Sequence, residues 1–190
     1  MKKNKLNKKF IIILLIVIIL LAFIIGFGII RKKGSSSPTQ QVKSYLNKYK
    51  REDKEVTSVI QYNFSDKLNA EQEKRYKEII KKQYRNLNYV IEDTYESEIE
   101  SNISIKFTVL DLKSEYERAT TYIATHEDKF TNENGELDND KVISYKLEQL
   151  ENTVESVEYT ITIKFYKNKD NEWVMTNPSK TDLSKLDGTF

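Results

Sequence analysis

The sequence predicts an α+β domain, with helices packed on a curved antiparallel sheet, behind an N-terminal transmembrane helix. Stretches with apolar residues every three or four positions indicate amphipathic helices. Two pairs of stretches in which apolar and polar residues alternate indicate strands with one buried face. An uncharged run, FIIILLIVIILLAFIIGFGII, precedes all of them. The order α-α-β-β-α-α-β-β favours helices on one face of an antiparallel sheet.

The apolar run extends from Phe10 to Ile30 and contains no charged residue. At about 1.5 Å per residue, a helix of this length spans about 30 Å, the thickness of a bilayer core. Secretory signal cores are shorter, about 7–15 residues, and end in a small-x-small cleavage site. Gly26 and Gly28 could mimic such a site, so cleavage stays an alternative. The length and the basic flank RKK favour a retained anchor.

The lysines around this run predict its orientation. Five lysines precede it and three basic residues follow it, which favours a cytoplasmic N-terminus. We therefore expect a basic cytoplasmic tail (1–9), a transmembrane helix (10–30), a linker (31–39) and an extracytoplasmic domain (40–190). The expected location is the cell membrane, with lipid contacted by the run from Phe10 to Ile30.

The charges and the missing cysteines exclude several functions. Residues 1–33 carry eight of the 31 basic side chains and no acid, which leaves 23 basic and 29 acidic side chains in the remainder. A domain with a net charge of −6 argues against nucleic-acid binding. With no cysteine, disulfides, thiol catalysis and cysteine-ligated zinc are excluded. The sequence also lacks phosphate-binding, dinucleotide-binding, zinc-protease and serine-elbow motifs.

The first half of the domain contains two helical stretches and a predicted hairpin. The first helical face comprises Val42, Tyr45, Leu46, Tyr49, Val56 and Ile60. The second comprises Tyr76, Ile79, Ile80, Gln83, Tyr84 and Leu87. Asn69, with Gln72 three residues later, predicts an N-cap and capping box for the second helix. The inward strand residues are predicted to be Tyr89, Ile91, Asp93 and Tyr95, then Ile103, Ile105, Phe107 and Val109, with ESN as the link.

The second half repeats this arrangement. One helical stripe comprises Leu112, Tyr116, Ala119 and Ile123; after the polar turn TNENGELDND, the next comprises Ile143, Leu147, Leu150 and Val154. Asp138 or Asn139 is positioned to cap the second of these helices. The final hairpin has Val157, Tyr159, Ile161, Ile163 and Phe165 on its inward face. NKDN turns the chain, and Trp173 and Met175 return on the partner strand.

Several of these stretches carry a resemblance to a known family. They are YKEIIKKQYRNLNYVI, ISIKFTVLDL, DNDKVISYKLEQLE, YTITIKFYKNKDNEWVM and LSKLDG. Residues from about 39 to 190 resemble uncharacterised exported proteins of Gram-positive bacteria, which are lipoproteins or single-span proteins. The resemblance implies a nuclear-transport-factor-2-like or cystatin-like domain and supplies no catalytic residues. Many members carry a cysteine for lipidation, where this chain has the apolar run.

Aromatic residues are the main candidates for a binding site. Inward faces are predicted for Tyr76 and Tyr95 and for the candidate pocket or core aromatics Tyr45, Tyr49, Tyr84, Tyr89, Tyr159 and Trp173. Curved α+β sheets can enclose a pocket, and aromatic walls with hydroxyl tips would suit a small molecule or peptide. The competing and favoured interpretation is that these side chains fill the core.

Other candidate groups have less support from the sequence. Asp93 and Asp111 are the carboxylates expected to be partly buried, with capping at strand ends as the commoner explanation. His126, beside Glu127 and Asp128, could act as a general base, but a solvated histidine near a helix end is favoured.

The stretch FTNENGELDND resembles a calcium loop only superficially. Aligned on Gly135, the EF-hand pattern places Phe130 at the first ligand position, so a turn followed by an N-cap is favoured. The prediction therefore names no catalytic residue, no metal ligand and no cofactor.

The expected function is a membrane-tethered, extracytoplasmic, non-enzymatic binding or assembly module of the bacterial cell envelope. Its partner is expected to be another envelope protein or a peptide, and not nucleic acid. Two alternatives remain: an accessory subunit of a conjugation or secretion apparatus, and a small enzyme using the cavity of the fold.

Overall fold

The computed structural model describes residues 36–190. The predicted cytoplasmic tail, the transmembrane helix at 10–30 and most of the linker lie outside the described residues. Within residues 36–190, no helix is both long enough and apolar enough to cross a membrane.

Helices and two hairpins alternate along this part of the chain. In order, the elements are α1 (Pro38–Lys50), α2 (Lys54–Thr57), α3 (Ala70–Arg85), β1 (Asn88–Glu96), β2 (Glu100–Leu110), α4 (Leu112–Thr125), a 3-10 helix (Glu127–Phe130), α5 (Asn139–Glu151), β3 (Ser156–Lys167), β4 (Trp173–Met175) and α6 (Lys180–Asp187).

The four strands form one antiparallel sheet in sequence order, β1-β2-β3-β4. On β2, alternate residues from Ile103 to Val109 are buried, and their partners on β3 include Ile161 and Ile163. These side chains form one core cluster with the apolar faces of the helices. The structure therefore confirms the predicted α+β class, with helices packed on an antiparallel sheet.

The helical faces predicted from periodicity are largely confirmed. The predicted face of α3 and the stripe on α4 are buried throughout. Asn69 caps α3, and its side chain accepts hydrogen bonds from the backbone of Glu71 and Gln72. Asp138 caps α5 in the same way. Local capping chemistry therefore set these helix starts as expected.

The first predicted helical face is divided between two helices. Helix α1 ends at Lys50, and Glu52 takes the left-handed conformation at φ 54°. This conformation interrupts the helical hydrogen bonds, because L-residues rarely adopt it inside a helix. Val56 is buried from the short α2, and Ile60 is buried from the segment that follows.

A β-bulge in β1 overturns the prediction that Asp93 and Tyr95 face the core. Ile91 pairs with Ile105, but Asp93 pairs with Ser104, so Glu92 is an extra residue on its strand. One inserted residue exchanges the two faces for every later position. Asp93 is exposed, and Tyr95 is 58% exposed on the face away from the helices.

Two boundaries also differ from the prediction. The first hairpin turns at residues 97–99, where the Ser97 amide donates to the Glu100 carbonyl at 2.8 Å, and ESN begins β2. Helix α5 ends at Glu151, so Val154 lies in the connection to β3 and is 87% exposed.

Helix α6 was absent from the predicted element order. Ser179 and Asp182 form a capping box at its start, and Gly188 follows its end in the left-handed conformation at φ 72°. Both signals are present in SKTDLSKLDG, and together they indicate a short helix.

Gln83 and Gly188 dock α6 onto the rest of the domain. The buried Gln83 side chain donates to the Leu186 carbonyl at 3.0 Å and accepts from the Leu110 amide at 2.8 Å. The Lys113 amide donates to the Gly188 carbonyl at 3.0 Å. A Cβ at Gly188 would collide with the carbonyl oxygen of Leu110. The backbones of β2 and α6 can meet here because position 188 has no side chain.

A second polar contact holds the segment between α2 and α3 in place. Lys146 on α5 donates to both carboxylate oxygens of Asp66, at 3.0 and 3.2 Å, and Tyr62 and Tyr116 also donate to Asp66. The side chains of Lys146 and Asp66 are 7% and 19% exposed. Burial opposes ionisation of Asp66, but the three donors together lower its pKa.

We expect Gly188→Ala to destabilise the protein far more than Gly135→Ala. Both glycines have positive φ, so each alanine carries a conformational cost of about 1 kcal/mol. At position 188 the added Cβ would also collide with a backbone oxygen, whereas no atom lies within 4 Å of a Cβ added at position 135. Urea denaturation should therefore show a loss of about 3 kcal/mol or more for Gly188→Ala. Equal losses for the two variants would contradict the proposed close approach.

We expect Lys146→Met to lower the free energy of unfolding by about 2–3 kcal/mol, because it leaves a largely buried carboxylate without its cation. The control is Arg51→Met, which removes the exposed pair with Asp53 and should cost less than about 1 kcal/mol. Adding Asp66→Asn to Lys146→Met should restore part of the lost free energy of unfolding, because the unpaired carboxylate is then removed. A double variant less stable than Lys146→Met alone would show that the pair is not the source of the effect.

Candidate functional site

A cavity of about 240 Å³ lies between α1, α3, α6 and the segment after α2. Its lining residues are Tyr49, Val59, Gln61, Asn63, Tyr84, Lys180, Leu183, Ser184 and Asp187. Polar and aromatic groups therefore share the wall with two aliphatic side chains. Docking of α6 creates this cavity, because four of the lining residues belong to that helix.

Two larger grooves each contain a carboxylate that is paired with a cation. One, of about 490 Å³, runs along α3, and its Glu151 pairs with Arg75. The other, of about 610 Å³, lies beside Asp66, which pairs with Lys146. The cavity beside α6 differs from both in the state of its carboxylate.

Asp187 is that carboxylate, and it is 7% exposed. One oxygen, Oδ1, accepts a hydrogen bond from the Tyr84 hydroxyl at 2.7 Å. Among residues 36–190, Oδ2 has no hydrogen-bond partner, and no lysine or arginine forms an ion pair with the carboxylate. Burial raises the pKa of Asp187 to about 6, although the bond from Tyr84 acts in the opposite direction. At neutral pH the site therefore holds a mostly buried negative charge that no cation in residues 36–190 neutralises.

Three tyrosines form a connected row that begins at Asp187. The Tyr84 and Tyr49 rings meet edge to face at 4.8 Å, and the Tyr49 and Tyr45 rings meet at 5.2 Å. The Tyr45 and Tyr49 hydroxyls are 2.7 Å apart and hydrogen-bonded. Burial raises the pKa of all three tyrosines, and the charge of Asp187 contributes to each rise. Their hydroxyls remain neutral hydrogen-bonding groups at physiological pH.

The six candidate aromatics do not converge on one site. Tyr45, Tyr49 and Tyr84 lie together beside Asp187, and of these Tyr49 and Tyr84 line the cavity itself. The other three pack against the core elsewhere. Lys50 lies over the Tyr89 ring, and Lys167 lies over the Trp173 ring. The Tyr159 hydroxyl donates to the Phe190 carbonyl. Tyr76, also predicted inward, is 1% exposed within the core.

Asp111 and His126 occupy helix ends. Asp111 caps α4 by accepting from the Ser114 amide at 3.0 Å, which confirms the capping explanation. His126 is the C-cap of α4, half-buried, with its ring stacked on Tyr122 at 4.1 Å between centroids. Its Nδ1 lies 3.0 Å from the Tyr122 carbonyl oxygen.

The stretch with a superficial calcium-loop pattern forms a tight turn. The Asn132 side chain accepts from the amides of Asn134 and Glu136, and Gly135 has φ 79°. Within residues 36–190, no group of three or more histidine, aspartate or glutamate side chains is placed to hold a metal ion.

Sequence reasoning missed Asp187 because it missed α6. The capping box and Gly188 could have revealed the helix. The burial of its last residue was not predictable from spacing, since it depends on the contact with α3.

Three comparisons with known proteins were made. No family model matches the sequence. No curated protein matches it significantly. A solved structure similar to it is that of ycdA, a candidate lipoprotein from Bacillus subtilis, with 14% sequence identity and a TM-score of 0.41. The similarity covers 83% of this chain and 48% of that one, so this chain spans about half the length of ycdA.

We expect ionisation of Asp187 to weaken folding as the pH rises. Its pKa is higher in the folded protein, about 6, than its ordinary value of 3.8. The protonated group therefore stabilises the fold at low pH, and this contribution is lost as the pH rises through about 6. No other carboxylate and no histidine lines the cavity. Between pH 7.5 and 4, the stability of the natural protein relative to Asp187→Asn should rise by about 2–3 kcal/mol.

Asp187→Asn is a suitable reference because asparagine retains an acceptor for Tyr84. Chemical denaturation of both proteins across this pH range measures the difference between their free energies of unfolding. The contributions of the other titrating groups are the same in both proteins and cancel. A difference independent of pH would show that Asp187 has an ordinary pKa.

Proposed function

We propose that the protein is a membrane-tethered, extracytoplasmic binding module of the bacterial cell envelope, and that its ligand occupies the cavity beside Asp187. The observation that carries this proposal is the buried carboxylate whose second oxygen has no partner in the described chain. A buried charge costs several kcal/mol unless it is compensated. A ligand that donates to Asp187 would remove that cost, so the site has a physical reason to be occupied.

Binding is a better-supported role for this site than catalysis. The neighbouring tyrosines keep their protons because their pKa values are raised, so they suit hydrogen bonding to a ligand. An enzyme remains the alternative from a different class, and the pKa of about 6 at Asp187 is the observation that favours it.

The location rests on the sequence. A run of 21 uncharged residues is long enough to span a bilayer, and the lysine excess before it favours an external domain. The linker is short, so the domain would work close to the membrane. The finer fold assignment, nuclear-transport-factor-2-like or cystatin-like, is part of the same proposal; helices on one face of a four-stranded antiparallel sheet support it.

Assembly with another envelope protein, such as a subunit of a conjugation or secretion apparatus, is a second candidate function. Tyr95, Ile99 and Tyr166 are 58%, 66% and 50% exposed. They lie at one end of the open sheet face, since Tyr95 pairs with Asn102 and the Ile99 carbonyl accepts from Lys167. Small exposed apolar groups of this kind can mark protein contacts.

Single introduced cysteines test the location and the site together, because the natural chain has no cysteine. We expect Val59→Cys at the cavity and Val90→Cys on the open sheet face to react with a membrane-impermeant maleimide in intact cells. Lys5→Cys in the predicted cytoplasmic tail should react only after lysis. The opposite pattern would overturn the orientation.

The matched pair also reports ligand occupancy. Val59 and Val90 are similarly exposed, 62% and 58%. We expect labelling at position 59, measured relative to position 90, to be slower in intact cells than in the purified protein. In cells a ligand would cover the cavity. Protection of position 90 alone would favour assembly through the sheet face. No protection at position 59 would contradict the proposed binding site.

A further inference from the structure

We propose that the cavity beside α6 binds a small molecule with an ammonium group at one end and a carboxylate at the other. The ammonium group would donate to Asp187, and the carboxylate would lie against Lys180. This inference rests on the proposed function, because it takes the cavity to be the ligand site.

Asp187 defines the ammonium end. Asp187 lines the cavity, its Oδ1 already accepts from Tyr84, and its Oδ2 has no hydrogen-bond partner or ion pair in the described chain. A neutral donor would satisfy the hydrogen bond but would leave the buried charge in place. An ammonium group supplies both the donor and the opposite charge, and such charge-assisted bonds are about twice as strong as neutral ones.

The tyrosines reinforce the preference for a cation. The negative charge of Asp187 helps to raise the pKa of Tyr49 and Tyr84, which line the cavity, and of Tyr45. Aromatic rings beside a carboxylate favour cations through their quadrupoles. The part of the cavity beside Asp187 is therefore negative and aromatic.

Lys180 defines the opposite end. It begins α6, seven residues before Asp187, so the two lie on the same side of the helix and about 10 Å apart along its axis. Both line the cavity, and in the described chain Lys180 forms no ion pair. A ligand reaching from Asp187 towards Lys180 meets opposite charges at its two ends.

The middle of the cavity suits a short hydrocarbon segment. Val59 and Leu183 supply apolar wall to the cavity, and on α6 Leu183 and Ser184 lie between Lys180 and Asp187. The volume of about 240 Å³ is below the usual range for drug-sized ligands, roughly 300 Å³ or more. Free ω-amino acids with a short methylene chain match these dimensions and charges.

Three probes of matched chain length test this assignment: 5-aminovalerate, butylamine and valerate. They would be titrated by calorimetry into the full-length protein in lipid nanodiscs at pH 7.5. We expect 5-aminovalerate to bind most tightly, butylamine about threefold to tenfold more weakly, and valerate without measurable affinity.

Two variants separate the ends of the site. Asp187→Asn should weaken the binding of 5-aminovalerate about tenfold or more. Lys180→Gln, at an exposed position, should make 5-aminovalerate and butylamine bind equally and should not affect folding. Circular dichroism would confirm that both variants are folded. Lys180→Gln also keeps the test valid if Asp187→Asn fails to fold.

The inference is overturned if valerate binds as tightly as 5-aminovalerate, if no probe binds, or if a folded Asp187→Asn variant binds all three unchanged. Each of these results leaves the proposed function intact as long as the cysteine at position 59 is protected in cells. If that protection is also absent, the proposed function fails with it.

Discussion

The docking of α6 through Gln83 is the contact on which the candidate site depends. One buried amide satisfies the Leu110 amide at the end of β2 and the Leu186 carbonyl near the end of α6. Without it, the buried Leu186 carbonyl and the partly buried Leu110 amide would lose their partners, at up to about 1–3 kcal/mol each. Gly188 permits the approach because its missing side chain leaves room for the Leu110 carbonyl. The cavity is therefore a consequence of how the C-terminal helix is fastened.

Asp66 and Asp187 are mostly buried carboxylates in opposite electrostatic states. Asp66 accepts hydrogen bonds from three donors, Tyr62, Tyr116 and Lys146, and its pKa is lowered. Asp187 receives one bond, from Tyr84, and its pKa is raised to about 6. The first arrangement is complete within the chain and is best explained as structural. The second lacks a cation, which is why it is the better candidate for a ligand contact.

Periodicity predicted most of the sheet and helices because local side-chain patterns follow directly from strand and helix geometry. The faces of α3 and α4 and the caps Asn69 and Asp138 are confirmed. One failure occurred where a single residue changed the register: the extra Glu92 in β1 reversed the faces of Asp93 and Tyr95. A bulge leaves no trace in an alternating pattern, since it depends on pairing with another strand.

The sequence by itself determined the fold class, most of the chain segments that form its helices and strands, the excess of acid after residue 33, and a 21-residue uncharged run before the domain. These are properties of neighbours along the chain. Only the tertiary structure decided which tyrosines meet and which carboxylate is buried. Tyr49, Tyr84 and Asp187 come from three helices far apart in sequence. Their proximity, and with it the desolvation that raises the pKa of Asp187, arises from packing that no local pattern encodes.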